Sequence, residues 1–127
     1  YISYRLGGWT EKQGEVLATD LLENESPLPT AILVGSDPMA IGVYRALKQK
    51  NIQIGEKIVV ASFDNIETIA HLSPGLTSVQ INAKSIGQAA VRMALERIDG
   101  IRDEPIILTY PARLIVRESF IPRTKRY

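Results

Sequence analysis

Apolar residues along this chain fall into short runs separated by turns and by stretches of helical period. The run Ala31-Ile32-Leu33-Val34, bounded by Pro29 and Gly35, is too short for a helix and predicts a strand covered on both faces. Ile58-Val59-Val60-Ala61-Ser62-Phe63 is almost unbroken in β-branched and apolar residues and predicts a second, central strand. Thr77 to Ile81 predicts another, Tyr1 to Leu6 reads as a strand ended by Gly7-Gly8, and Ile106 to Tyr110 and Arg113 to Arg117 read as late strands interrupted at Pro111. Between these runs the period changes to that of a helix. Leu17, Ala18, Leu21 and Leu22 mark one apolar face; Ile41, Tyr44 and Leu47, or Ala40, Val43 and Leu47, mark a second; Ile86, Ala90, Met93 and Ile98 mark a third.

Punctuation supports these elements. Thr10-Glu11-Lys12-Gln13 has the capping-box pattern for a helix that continues to about Asn24. Ser36 or Asp37 can cap the helix from Pro38 to about Lys50, with Pro38 at its first position, where a missing N–H costs nothing. Asn82 caps a long helix over Ala83 to Asp99, which Gly100 stops. A short helix around Glu67 to Leu72 precedes the turn Ser73-Pro74-Gly75. Alternating strands and helices predict an α/β fold of three layers around a mostly parallel sheet with right-handed crossovers.

Composition narrows the chemistry. The 127 residues are one domain's worth, and a net charge of +1 supplies no overall attraction to nucleic acid or an anionic membrane. Without cysteine there is no disulfide framework, thiolate catalysis or thiolate metal site. His71 is the only imidazole, and no nucleophile or orienting acid stands at a suggestive spacing from it, so the reading is not an enzyme, with no cofactor and no metal. No run approaches the length of a bilayer-spanning helix. The start has no signal-peptide layout and opens inside a strand-like alternation without Met, which reads as a piece of something longer. Arg123, Lys125 and Arg126 read as a solvated basic tail.

In a parallel sheet the residues following each strand gather at one edge, so Trp9, Ser36, Asp37, Asp64 and Asn65 should share a rim. An indole beside hydroxyl, carboxylate and amide groups suits a sugar: the aromatic face covers C–H surface while the polar groups take hydroxyls. Each residue also has a plainer role. Trp9 can anchor packing, Ser36 or Asp37 can cap a helix, Asp64 can cap the short helix after it, and Lys84 can be a solvated first-turn residue.

Gly8-Trp9-Thr10 with Gly14, the stretch from Pro29 to Gly42, Ser62-Phe63-Asp64-Asn65, Pro74-Gly75-Leu76-Thr77-Ser78-Val79 and Arg117-Glu118-Ser119 together resemble, in order and spacing, the lactose/galactose-repressor (LacI/GalR) family. The resemblance implies a periplasmic-binding-protein-like C-terminal lobe. The helix-turn-helix DNA-binding domain and most of the N-terminal lobe would be absent from this chain. It implies an allosteric transcription regulator in the cytoplasm that senses a small-molecule effector, a galactoside-like sugar, with effector positions at Trp9, Ser36, Asp37, Asp64 and Ile81. Many sugar-responsive members carry Asn where Ser36 stands, and Ile81 occupies a place that is polar in some members. The family pattern further implies a homodimer formed through this lobe, by the helix after Asp37 and the segment Ile66 to Leu72, with DNA contacted only through the missing domain. The stripe on the helix Ala83 to Asp99 would then dock on a second chain or an atypical surface. Two rivals come from other classes: a receiver-like or phosphate-handling domain with Mg²⁺ on Asp37 and Asp64 and Lys84 neutralising phosphate, and a solute-binding protein of a sugar transporter.

Overall fold

The computed structural model of the chain describes residues 2–120, so the tail cations Arg123, Lys125 and Arg126 lie outside the described residues. The elements run α1 (Glu11–Asn24), β1 (Ala31–Leu33), α2 (Asp37–Gln49), β2 (Val59–Asp64), a 3-10 turn (Glu67–His71), β3 (Thr77–Gln80), α3 (Ala83–Ile98) and β4 (Arg113–Ile115). The chain divides into two compact units, one holding the residues up to Gln80 and those from Leu114 onward, the other spanning Ile81–Arg113.

In the first unit the strand order is β1-β2-β3-β4. β1 and β2 pair in parallel with Ile32 opposite Val60, and β2 and β3 in parallel with Ser62 opposite Ser78. The alternation of side chains across β2 sends Val60 and Ser62 into the interior and leaves Phe63 exposed. β1 departs from the expectation of a strand buried on both faces. It lies at the end of the strand order, Leu33 is 82% exposed, and only Ile32 and the following Val34 turn toward the core. A run of apolar residues cannot by itself say whether a second layer covers it.

The core forms where α2 packs on β2 and on α1. Tyr44 and Leu47 of α2 meet Val60 of β2, Ile69 of the 3-10 turn and Leu76 before β3, all buried. α1 and α2 approach so closely that glycine is needed on both. A Cβ built at Gly14 would stand 2.1 Å from the carbonyl oxygen of Met39, and one at Gly42 would stand 1.9 Å from that of Glu11. Ion pairs of Glu11 with Arg45 and of Glu23 with Lys50 line the solvent edge of this helix pair. The Thr10 hydroxyl accepts the Gln13 N–H at 3.3 Å, completing the capping box read from the sequence.

Two of the predicted strands, the one read from Tyr1 to Leu6 and the one from Ile106 to Tyr110, do not form among the described residues. Over residues 2–6 the alternation survives with apolar side chains outward: Ile2, Tyr4 and Leu6 are exposed, whereas Arg5 turns in and pairs with Asp20 at 2.5 Å and Glu25 at 3.0 Å. Ile106 to Tyr110 is likewise without ladder bonds, and Ile107 is 92% exposed. Alternation marks a residue pattern that fits a sheet, but a strand also needs a neighbour to exchange backbone hydrogen bonds. β4 is shorter than expected for the same reason.

In the second unit, Asn82 caps α3 by accepting the Ser85 N–H at 3.1 Å, and Gly100 follows the helix with φ +67°. Ala89 is the buried residue of α3; Ile86, Ala90 and Ile98 of its apolar stripe are exposed and Met93 is half-buried.

Candidate functional site

The site lies where β1 and β2 end, entirely within the first unit. β1 leads through Gly35 and Ser36 into α2. Ser36 takes the N-cap position with extended backbone, but its hydroxyl makes no capping bond. The helix begins at Asp37, which places Pro38 second rather than first, and neither Ser36 nor Asp37 caps with its side chain as the sequence suggested. The carboxyl of Asp64, from the end of β2, lies near enough to the Asp37 N–H for that dipole to favour its charged form. A carboxylate at a helix start is favoured by the free N–H groups and the helix dipole, whichever segment brings it.

Asp37 answers in the opposite direction. Its fully buried carboxylate accepts the Ser62 hydroxyl in a short bond and the Ser78 hydroxyl at 2.8 Å through Oδ1, and the Ile66 N–H at 2.8 Å through Oδ2. The two serines are register partners in neighbouring strands, so one carboxylate joins β2, β3, the start of α2 and the turn after β2. This corrects the reading of Asp37 as a free acceptor at the rim. Its oxygens are engaged inside the fold, and for the same reason it is not poised to hold Mg²⁺ in a receiver-like site. Among the described residues no cluster of three or more His, Cys, Asp or Glu could hold a metal ion.

Asp64 and Asn65 turn the chain after β2 with φ values of +109° and +56°, a left-handed pair that non-glycine residues seldom adopt. Asp64 does not cap the short helix; Ile66 takes that position. The Asp64 carboxyl is held above the usual carboxylate range, first by desolvation and then by the charge of Asp37, with the Asp37 N–H pulling the other way. Asn65 is tied at both ends: its N–H donates to Ser78 Oγ at 3.1 Å, and its Oδ1 accepts from Arg117 Nη2 at 2.9 Å.

Trp9, 69% exposed, is not a core anchor. Its ring lies over Gly35, where a built Cβ would stand 3.4 Å from Cζ3, so the indole covers the residue that precedes Ser36 in the chain. Ser36 is 6% exposed, and its Oγ has no hydrogen-bond partner among the described residues. Trp9, Ser36 and Asp64 therefore share one edge around the start of α2. Ile81 and Lys84 belong to the second unit, Ile81 half-buried and Lys84 exposed.

Sequence reasoning missed Ser62, Ser78 and Arg117. Serines inside strands otherwise rich in apolar residues were the available signal for a buried polar cluster, since buried hydroxyls need partners. His71 is exposed at the end of the 3-10 turn.

Comparison with known proteins agrees with this architecture. Residues 3–120 match the model of the periplasmic binding protein-like domain. The chain is 32% identical over 114 residues to the HTH-type transcriptional repressor MelR of Bacillus subtilis (strain 168), covering 90% of this chain and 33% of that protein. Among solved structures, the transcriptional regulator CelR–cellobiose complex is similar with a TM-score of 0.84 and 29% identity, over 89% of this chain and 34% of that one. The lac repressor dimer bound to operator and the anti-inducer ONPF is similar with a TM-score of 0.80 and 30% identity, over 91% of this chain and 40% of that one. The chain spans about a third of the length of the curated relative MelR. A mostly parallel sheet with flanking helices, matched by transcriptional repressors, places this chain in the LacI/GalR family, as part of its periplasmic-binding-protein-like effector domain.

Proposed function

We propose that the chain is the C-terminal part of a two-lobed effector domain that senses a sugar and passes its occupancy to a DNA-binding domain upstream. One observation carries the reading: the exposed indole of Trp9 lies over Gly35, one residue before Ser36, whose buried hydroxyl has no partner among the described residues. An exposed indole offers its face to the C–H surface of a hydroxyl-bearing ring, and the cost of an unsatisfied buried hydroxyl nearby in the chain favours a ligand that reaches Ser36. The Asp64 carboxylate, across the start of α2, would accept a second hydroxyl, and Asp37 would hold that carboxylate's turn in place. The cellobiose in the CelR complex is in keeping with a carbohydrate effector.

Such an effector changes DNA binding only by preferring one arrangement of the lobes over the other, because equal affinity shifts no equilibrium. A homodimer through this lobe is part of the same reading. The faces available for it are the exposed residues Glu67, Thr68, Ala70 and His71 of the 3-10 turn and the apolar stripe of α3; most of α2 is buried within its own unit. The protein acts in the cytoplasm, where its operator is.

Calorimetric titration of the regulator with cellobiose, lactose and ribose, repeated in Trp9→Ala and Ser36→Ala, tests the proposal. Saturable binding of a sugar that weakens at least about tenfold in both variants is expected, the loss of one or two good polar or stacking contacts. Sugar binding indifferent to both substitutions, or none by any sugar of the panel, would overturn it.

A further inference from the structure

We propose that Arg117 is a positioning residue for the Asp64–Asn65 turn, through which the returning C-terminal segment of the chain controls the effector-side edge. Its effect on effector affinity rests on the sugar-sensing reading above; its control of the turn does not.

Three hydrogen bonds tie Asn65 and Ile66 to other elements among the described residues. Ser78 Oγ accepts the Asn65 N–H, the Asp37 carboxylate accepts the Ile66 N–H, and Arg117 donates to the Asn65 side chain. The first two come from the sheet and α2. Arg117 alone comes from the segment after β4, 52 residues away in sequence. Its guanidinium is a two-armed clamp: Nη2 reaches Asn65 Oδ1 at 2.9 Å while Nη1 reaches the Leu76 carbonyl at 2.6 Å. The base of the clamp is fixed as well. The Arg117 N–H donates to Thr77 Oγ1 at 2.8 Å, and the Thr77 hydroxyl donates back to the Arg117 carbonyl at 3.1 Å. The next two residues lock the segment to the same loop, with Glu118 Oε2 accepting the Gly75 N–H at 3.0 Å and Ser119 Oγ accepting the Thr77 N–H at 2.7 Å.

Both arms of Arg117 end on neutral acceptors, with no carboxylate ion pair to Arg117 among the described residues. What the site uses is therefore the planar fork more than the charge. A lysine can reach one acceptor or the other but cannot reproduce the fixed two-point geometry. Asn65 stands next to Asp64, so releasing its side chain loosens the backbone that aims the Asp64 carboxylate.

Hydrogen–deuterium exchange of the regulator without ligand separates this role from a general structural one. In Arg117→Lys, the Asn65 and Ile66 amides are expected to exchange at least about tenfold faster, while the Val43 and Leu47 amides of α2 hold their rates. In an Asn65→Ala background, adding Arg117→Lys should produce little further change at Ile66. Unchanged exchange at Asn65 and Ile66, or a uniform acceleration that includes Val43 and Leu47, would overturn the proposal. A second arm measures the affinity of whichever panel sugar the native protein binds, expected to fall several-fold in Arg117→Lys. Should affinity hold while the turn exchanges faster, Arg117 positions the turn but not the effector. Should no sugar bind the native protein, the sensing proposal fails and the exchange result still decides the role of Arg117.

Discussion

Asp37 and Ile66, 29 residues apart, are joined by a 2.8 Å hydrogen bond from the Ile66 N–H to the buried Asp37 Oδ2. With the hydroxyls of Ser62 and Ser78 on Oδ1, three donors converge on one carboxylate. Hydroxyls can rotate to suit a changed acceptor, but a backbone N–H cannot. Asp37→Asn turns an NH₂ toward at least one of these donors, and a loss of about 1–3 kcal/mol is expected from an unmatched buried group. Urea unfolding of Asp37→Asn against the native chain measures it, with Ser78→Ala expected to cost less.

Asp64 predicts a pH dependence of the opposite sense to a paired carboxylate. Its folded pKa is raised, so the folded chain binds the proton more tightly than the unfolded chain. The resulting stabilisation is present below the ordinary pKa of 3.8 and is lost as pH rises through the folded value. Asp64→Asn should therefore be at least as stable as the native chain at pH 7 and should flatten this part of the stability–pH curve, while binding the effector more weakly. Thermal melts from pH 3 to pH 7, run beside sugar titrations, test the two halves separately.

Tyr44 gives a second window at the alkaline end. Burial pushes its phenol from 10.0 up to about 12, so the folded state resists ionisation that the unfolded state accepts. Stability should fall as pH climbs from 10 toward 12, and Tyr44→Phe should remove that contribution. Unfolding midpoints of the two proteins at pH 8 and pH 11 provide the comparison.

The helices α1 and α2 approach each other through Gly14 and Gly42. Gly42→Ala and Gly14→Ala each drive a methyl into backbone of the opposite helix, and a loss of about 1–3 kcal/mol or more is expected. Gly87 in α3 has nothing within 4 Å of a built Cβ, so Gly87→Ala should instead gain about 0.5–1 kcal/mol from helix propensity. Denaturation of the three variants distinguishes close approach from glycine content.

Trp9 and Ser36 should separate stability from binding. Trp9→Ala removes an exposed ring and is expected to change stability by about 0.5 kcal/mol or less. Ser36→Ala removes a buried hydroxyl that has no partner among the described residues, so stability should hold or rise slightly. Equal unfolding midpoints with weakened sugar binding are expected for both.

Local chemistry made much of this protein legible in its sequence. The helices α1, α2 and α3, the strands β1 to β3, the Thr10 capping box and the Asn82 cap are settled by period and by side chains bonding within a few residues. The gathering of Trp9, Ser36 and Asp64 at one edge follows from parallel strands feeding helices, which is a rule of connection. Tertiary structure decided what depends on neighbours far along the chain. It left β1 exposed, denied strand partners to residues 2–6 and 106–110, and turned the Asp37 side chain away from its own helix to the Ile66 N–H. It also brought Arg117 to Asn65. Carboxylates, amides and guanidinium groups bond to whatever donor or acceptor the fold delivers within 3 Å, and sequence spacing carries no record of a partner 29 or 52 residues away.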